Sequence, residues 1–180
     1  GPLCPNQRRL TSTGDLDGRV FALSPDGGYL LFTRVPTETG ATAPLNSLWM
    51  IETATADAVP VQLGVEGVLW ADWAPECKGT PSGSNCRIAY TTGERTEGSP
   101  GWKAANDLWV VSPRARDGRL VSRSRVLAPS AAYGWWGTTY AWAPDGRSLA
   151  YARADEVGIV RISNGQQTPL FRFPAYRTYA

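Results

Sequence analysis

The chain writes one short turn twice. "FALSPDGGYLLF" at residues 21–32 and "YAWAPDGRSLAY" at residues 140–151 share the order aromatic or apolar strand, Pro-Asp-Gly, apolar strand. Each residue of the tripeptide has a task. Proline presets φ for the first corner of a turn, aspartate hydrogen-bonds back to nearby backbone, and glycine accepts the positive φ that a side chain resists. With period-2 apolar runs on both sides, Asp26-Gly27 and Asp145-Gly146 are predicted hairpin turns. A third, degenerate copy is "LWADWAPE", where Pro75-Glu76-Cys77 takes the place of Pro-Asp-Gly ahead of "CRIAYTT".

The order continues past each hairpin. After the second strand comes "SLWMIE", "DLWVVS" or "VGIVRIS", and then a fourth, polar-edged segment, "VPVQLGV", "SRVLAPS" or "TPLFRFP". All are short, rich in aromatic and β-branched residues and bounded by Gly, Pro, Asn and Asp, and none sustains a 3.6-residue period. Corresponding prolines are roughly 50–70 residues apart, a spacing that marks an internal repeat and decides the architecture. The expectation is an all-β chain of three four-stranded antiparallel units over 15–66, 67–130 and 131–175. Residues 1–14 supply an outer strand of a preceding or closing unit, and 176–180 begin another.

"SPDGGYLLF" and "APDGRSLAY", each followed by a Leu-Trp strand or its Ile-Val equivalent, resemble the TolB-like (PD40, WD40-like) β-propeller repeat. The resemblance spans nearly the whole chain and implies radial blades of four antiparallel strands. It makes the three units a β-propeller segment, an incomplete ring and half of a six-bladed one. A second chain or a missing fragment is then needed to complete it. In this frame Leu23, Trp73 and Trp142, each two residues before the turn proline, are expected as blade-to-blade core, and Trp49 and Trp109 as core of the third strands. Stopping at the third blade leaves Ile159, Arg161 and Leu170 as candidates for exposure.

Composition narrows the partners. Hydrophobic residues make up 42% and charged residues 19%, with a formal net charge of +2. That balance builds a globular core and no field suited to nucleic acid or an anionic membrane. No apolar run approaches the roughly 20 residues that span a bilayer. Cys77 and Cys86 bracket "KGTPSGSN", which has no apolar residue to hold it. A disulfide there would replace the missing Asp-Gly turn and place the chain in an extracytoplasmic compartment, periplasmic, cell-surface or secreted, anchored if at all by a segment outside these residues. The alternative is two free thiols. Cys4 alone remains, so Cys and His cannot assemble a four-ligand zinc site.

Catalytic machinery is sparse. The sequence contains no histidine, which excludes a Ser-His-Asp triad within the chain, and no Gly-x-Ser-x-Gly elbow occurs. No catalytic residue, metal or cofactor is expected. Asp72, in a first strand of the kind that lines a propeller channel, is the candidate carboxylate, with a hydrogen-bonded wall residue as the alternative. "YGWWGTTY" brings Tyr133, Trp135 and Trp136 to the loop ahead of a first strand, where a flat aromatic surface would stack on a sugar or anchor a protein. The other reading folds that loop over its own blade. Arg114, Arg116, Arg119, Arg123 and Arg125 crowd the Asp117-Gly118 turn, where they either bind phosphate or charge an outer edge strand against unwanted pairing. Asp15 and Asp17 in "GDLDG" lack the further ligands of a calcium loop. The expected function is a non-enzymatic binding module for a protein or a cell-wall or glycan ligand. Two other parents would use similar blades: a prolyl-oligopeptidase-like hydrolase, with the propeller gating a catalytic domain elsewhere, and the extracellular sensor of a membrane-anchored regulator.

Overall fold

A computed structural model describes residues 8–35, 46–78, 86–92, 107–113, 115–116, 119–120, 124–128, 139–153 and 156–172. Among them there is no helix, and so none long and apolar enough to cross a membrane. Three four-stranded antiparallel sheets account for most of the described chain. Sheet 1 is a meander of β1 (Leu16–Leu23), β2 (Tyr29–Arg34), β3 (Ser47–Glu52) and β4 (Val61–Glu66). Sheet 2 is built from β5 (Val68–Trp73), β6 (Ile88–Thr92) and β7 (Asp107–Val111), then β10 (Ser124–Ala128) on its outer edge. Between β7 and that edge in sequence, β8 (Ala115–Arg116) and β9 (Arg119–Leu120) pair as a separate two-stranded antiparallel sheet. Sheet 3 is again a meander: β11 (Thr139–Trp142), β12 (Ser148–Arg153), β13 (Glu156–Arg161) and β14 (Gln167–Arg172).

The three first hairpins close alike. Gly27 N donates to Ser24 O at 2.8 Å and Ser24 N to Tyr29 O at 2.8 Å, with Gly27 at φ 72°. Gly146 N donates to Ala143 O and Ala143 N to Ser148 O, both at 2.9 Å, with Gly146 at φ 63°. The aspartates do what the tripeptide requires: Asp26 Oδ1 accepts from Gly28 N at 3.0 Å and Asp145 Oδ1 from Arg147 N at 2.9 Å. In sheet 2, Cys77 N donates to Ala74 O and Ala74 N to Arg87 O, both at 2.9 Å, although Cys86 comes nine positions after Cys77. The Cys77–Cys86 disulfide, Cα atoms 4.5 Å apart, closes off that loop so that the turn meets its second strand as the other two do.

Register makes the sheets superimposable residue by residue. One cross-strand row is Ala22–Leu31–Met50 in sheet 1, Asp72–Ala89–Val110 in sheet 2 and Ala141–Ala150–Ile159 in sheet 3. The next is Leu23–Leu30–Ile51, Trp73–Ile88–Val111 and Trp142–Leu149–Val160. Because side chains alternate along a strand, the two rows point to opposite faces. The first row faces the following sheet and the second the preceding one; these are the trailing and leading faces below.

Sheets 1 and 2 meet through one core. The trailing Leu31, Leu48 and Met50 of sheet 1 pack with the leading Trp73, Ile88, Tyr90 and Val111 of sheet 2. Sheets 2 and 3 repeat the contact, with Ala89 and Leu108 against Tyr140, Leu149, Tyr151 and Val160. Each joint also carries the same polar tie. Trp73 Nε1 donates to Ala22 O at 3.0 Å, and Trp142 Nε1 to Asp72 O at 3.3 Å. The first strands β1 and β5 therefore lie side by side, and β11 touches β5 through the Trp142 indole.

Leu23 departs from the expectation. It is 55% exposed, whereas Trp73 is 4% exposed at the equivalent place. The reason is positional: among the described residues no sheet packs on the leading side of β1, so Leu23 meets no counterpart of the sheet 1 face that buries Trp73. Of residues 1–14, expected as an outer strand, the described 8–14 carry no strand, and Leu10 instead packs on Leu30, Phe32 and Ile51 of the leading face. Ile159, Arg161 and Leu170 are exposed. Trp49 and Trp109 are half-buried; their indoles donate to Ser47 Oγ at 2.8 Å and Thr92 Oγ1 at 3.0 Å.

Candidate functional site

Asp72 sits on β5 at the joint between sheets 2 and 3. It occupies the position that Ala22 and Ala141 hold in the other first strands, so its carboxylate is an addition to a surface otherwise built with a methyl group. The side chain is half-buried, and its Oδ1 accepts from Trp73 N at 2.9 Å. Burial raises the carboxyl above its ordinary 3.8, and the Trp73 N–H bond opposes that rise only in part. Two residues earlier on the same face, Trp70 lies against Tyr140 of β11, ring centroids 5.9 Å apart at 33°. Aromatic surface and one partly desolvated carboxylate thus meet where Trp70 and Asp72 of β5 touch Tyr140 and Trp142 of β11.

Tyr133, Trp135 and Trp136 lie outside the described residues, as do Arg114 and Arg123. Within reach of description, Thr139 opens β11 directly after that aromatic loop in sequence and is exposed. Arg116 and Arg119 pair across β8 and β9, and Arg125 lies in β10, the edge strand of sheet 2.

The aspartates of "GDLDG" are committed to protein partners. Asp15 Oδ2 pairs with Arg34 Nη2 at 2.7 Å, and its Oδ1 accepts from Thr13. Asp17 accepts from Thr33 Oγ1, from Arg19 N at 3.0 Å and from Asn46 Nδ2 at 2.7 Å. Burial pushes both carboxyls up, but these donors outweigh it and both titrate below 3.8. Buried Asn46 carries the network to the next sheet, accepting from Val68 N at 2.7 Å and donating to Val68 O at 2.9 Å. Among the described residues no three His, Cys, Asp or Glu side chains assemble as metal ligands.

A groove of about 450 Å³ opens where residues 9–13 cross sheet 1. Its lining includes Arg9, Thr11, Ser12, Thr55 and Asp57 together with the apolar Ile51 and Pro60. Hydroxyl donors and acceptors beside apolar surface suit a polyol or sugar. Sequence reasoning missed this groove because "RRLTSTG" reads as a strand, and nothing in it signals that Leu10 docks on sheet 1.

Neither a family model nor a curated protein matches the chain.

Proposed function

We propose that the chain is a segment of a TolB-like β-propeller acting as a non-enzymatic, extracytoplasmic binding module for a protein or a cell-wall glycan. The observation that carries the reading is the repeated joint: two successive sheets, each tied to the one before by an indole N–H on the first-strand carbonyl of its predecessor. Repetition of one rotation between sheets is what arranges blades around an axis, with first strands innermost. The ligand meets the surface where Asp72 and Trp70 of β5 lie beside Tyr140 of β11, Asp72 orienting a polar group there, and the sequence reading adds Tyr133, Trp135 and Trp136 as aromatic residues that stack on a sugar face or an apolar side chain. The disulfide supports the extracytoplasmic address, because reducing compartments keep such thiols apart. The absence of histidine from the whole sequence supports binding without turnover.

Titration of the chain with soluble peptidoglycan fragments and a glycan panel, followed by tryptophan fluorescence, tests this. The expected result is a saturable change that the double variant Trp135→Ala, Trp136→Ala abolishes and Asp72→Asn weakens. No saturable response to any glycan or cell-envelope protein, or turnover of a bound substrate, contradicts the reading.

A further inference from the structure

Among the described residues one kind of sheet-to-sheet contact occurs twice, and sheets 1 and 3 each expose part of a face of the kind those contacts use. On sheet 3 the trailing row Ala141–Ala150–Ile159 is exposed, Ile159 by 37%, while its counterparts Leu31 and Met50 in sheet 1 and Ala89 in sheet 2 are at most 4% exposed. On sheet 1 the leading residues of β1 are open: Phe21 is 73% and Leu23 55% exposed. Their register equivalents are Ala71 and Trp73 in sheet 2 and Tyr140 and Trp142 in sheet 3, all packed into the joints.

We propose that these faces join between copies: the trailing face of sheet 3 receives β1 of a second copy, with Phe21 and Leu23 over Ala141, Ala150 and Ile159. The internal joints specify what the occupant must offer. It is the first strand of a four-stranded sheet carrying a large apolar side chain two residues before its turn proline and an apolar or aromatic one, Ala71 or Tyr140, four before it, and β1 carries Leu23 and Phe21 there, both uncovered. The receiving surface is cut for bulk. Ala141, Ala150 and Ala152 stand where sheet 1 has Ala22, Leu31 and Thr33, leaving room above the sheet for an incoming ring. Leu10 already covers Leu30, Phe32 and Ile51 of β2 and β3, so the contact that sheet 1 offers is confined to β1, which stays bare. Charge fits at the turn end. Arg161 alternates with Ile159 onto the trailing face, near where a second copy would bring Asp26, much as Arg87 of sheet 2 donates to Gly146 O in the turn of sheet 3 at 3.2 Å.

The contact is head-to-tail, so one copy uses both faces and the assembly either closes or propagates. It rests on the repeat relation between sheets and not on any ligand, so its failure leaves the binding reading to the titration above.

Sedimentation equilibrium on the 180-residue chain tests the proposal with two variants that spoil opposite faces, Leu23→Asp and Ile159→Asp. Both sites are exposed, and unchanged circular dichroism confirms folding; Phe21→Ser and Ala150→Glu repeat the design should either variant fail to fold. The wild-type chain is expected to self-associate in the micromolar range, and each variant alone to associate at least tenfold more weakly. Mixed together, the two variants retain one intact interface, sheet 3 of Leu23→Asp with sheet 1 of Ile159→Asp, and give a 1:1 dimer that grows no further. A wild-type chain that stays monomeric overturns the proposal, and if it then binds an apolar dye the face belongs to a different polypeptide. Association that survives either variant, or a mixture that remains monomeric, overturns it equally.

Discussion

The leading face of sheet 1 and that of sheet 2 carry the same pattern and meet different fates. Leu23–Leu30–Ile51 and Trp73–Ile88–Val111 occupy one register, yet Leu23 is 55% exposed and Trp73 4%. The difference lies in the neighbour. Sheet 2 has sheet 1 in front of it, and its indole finds both a core and the Ala22 carbonyl, whereas sheet 1 has, among the described residues, only the stretch around Leu10, which reaches β2 and β3 and stops short of β1. Apolar patterning therefore marks a face meant for burial, and the adjoining element decides whether burial occurs.

Truncation at the two positions separates them most sharply. Trp73→Ala should cost about 3–5 kcal/mol, through lost packing and the Ala22 carbonyl left without its donor. Leu23→Ala in the dilute chain should stay within about 0.5 kcal/mol. Urea unfolding of both variants reads the gap; similar losses would mean that the leading face of sheet 1 is covered in solution.

The turns give the next comparison. Reducing the Cys77–Cys86 disulfide, or replacing both cysteines by serine, should lower stability by about 2–3 kcal/mol. Sheet 2 alone depends on it, and amide exchange should show β5 and β6 losing protection ahead of β1 and β2.

A smaller effect distinguishes the two Asp-Gly turns. Both glycines have positive φ, so alanine strains each by about 1 kcal/mol. At Gly27 a Cβ meets open space, but at Gly146 it would lie within 1.8 Å of Glu76 Oε2, the carboxylate that Arg87 Nε holds at 3.0 Å. Gly146→Ala should therefore destabilise more than Gly27→Ala, the excess disappearing in a Glu76→Ala background. Equal losses in thermal unfolding would show that the sheet 2 carboxylate does not reach the sheet 3 turn.

Much of this was legible in the sequence. Pro-Asp-Gly fixes turn, register and the start of each sheet because each of its three residues meets a local demand that no distant contact supplies. The Cys77–Cys86 pairing was legible as well, since a polar loop without apolar anchors needs a covalent clasp. Leu23 misled for the opposite reason: its position in the repeat is correct, but exposure depends on a neighbour that no local pattern encodes. The β8–β9 pair announced itself only through Asp117-Gly118. Of the candidate site, Asp72 was singled out from the sequence as a first-strand carboxylate; that it stands where the other first strands carry Ala22 and Ala141, and that its carbonyl accepts from the Trp142 indole, come from register and from packing across sheets.

The smallest effect expected is on pH. Asp72 has a folded pKa above 3.8, so its contribution is fully present below that value and is lost as pH rises through the raised pKa. Asp15 and Asp17 have lowered values and behave oppositely, their contribution being present above 3.8 and lost as pH falls through the folded pKa. Asp72→Asn should hence be more stable than the wild-type chain at pH 7, the advantage vanishing near pH 3. A variant less stable at neutral pH would mean that Asp72 has a charged partner.

The central claim is that successive sheets are joined by an indole on the preceding first-strand carbonyl. It is tested most directly by hydrogen exchange of indole N–H groups in the tryptophan-labelled chain by NMR, with resonances assigned through Trp73→Phe and Trp142→Phe. The account predicts that the resonances lost in those two variants exchange far more slowly than those of Trp49 and Trp109, whose donors bond side-chain hydroxyls within a single sheet. Exchange of the Trp73 and Trp142 indoles at the rate of a free, solvated indole would contradict it.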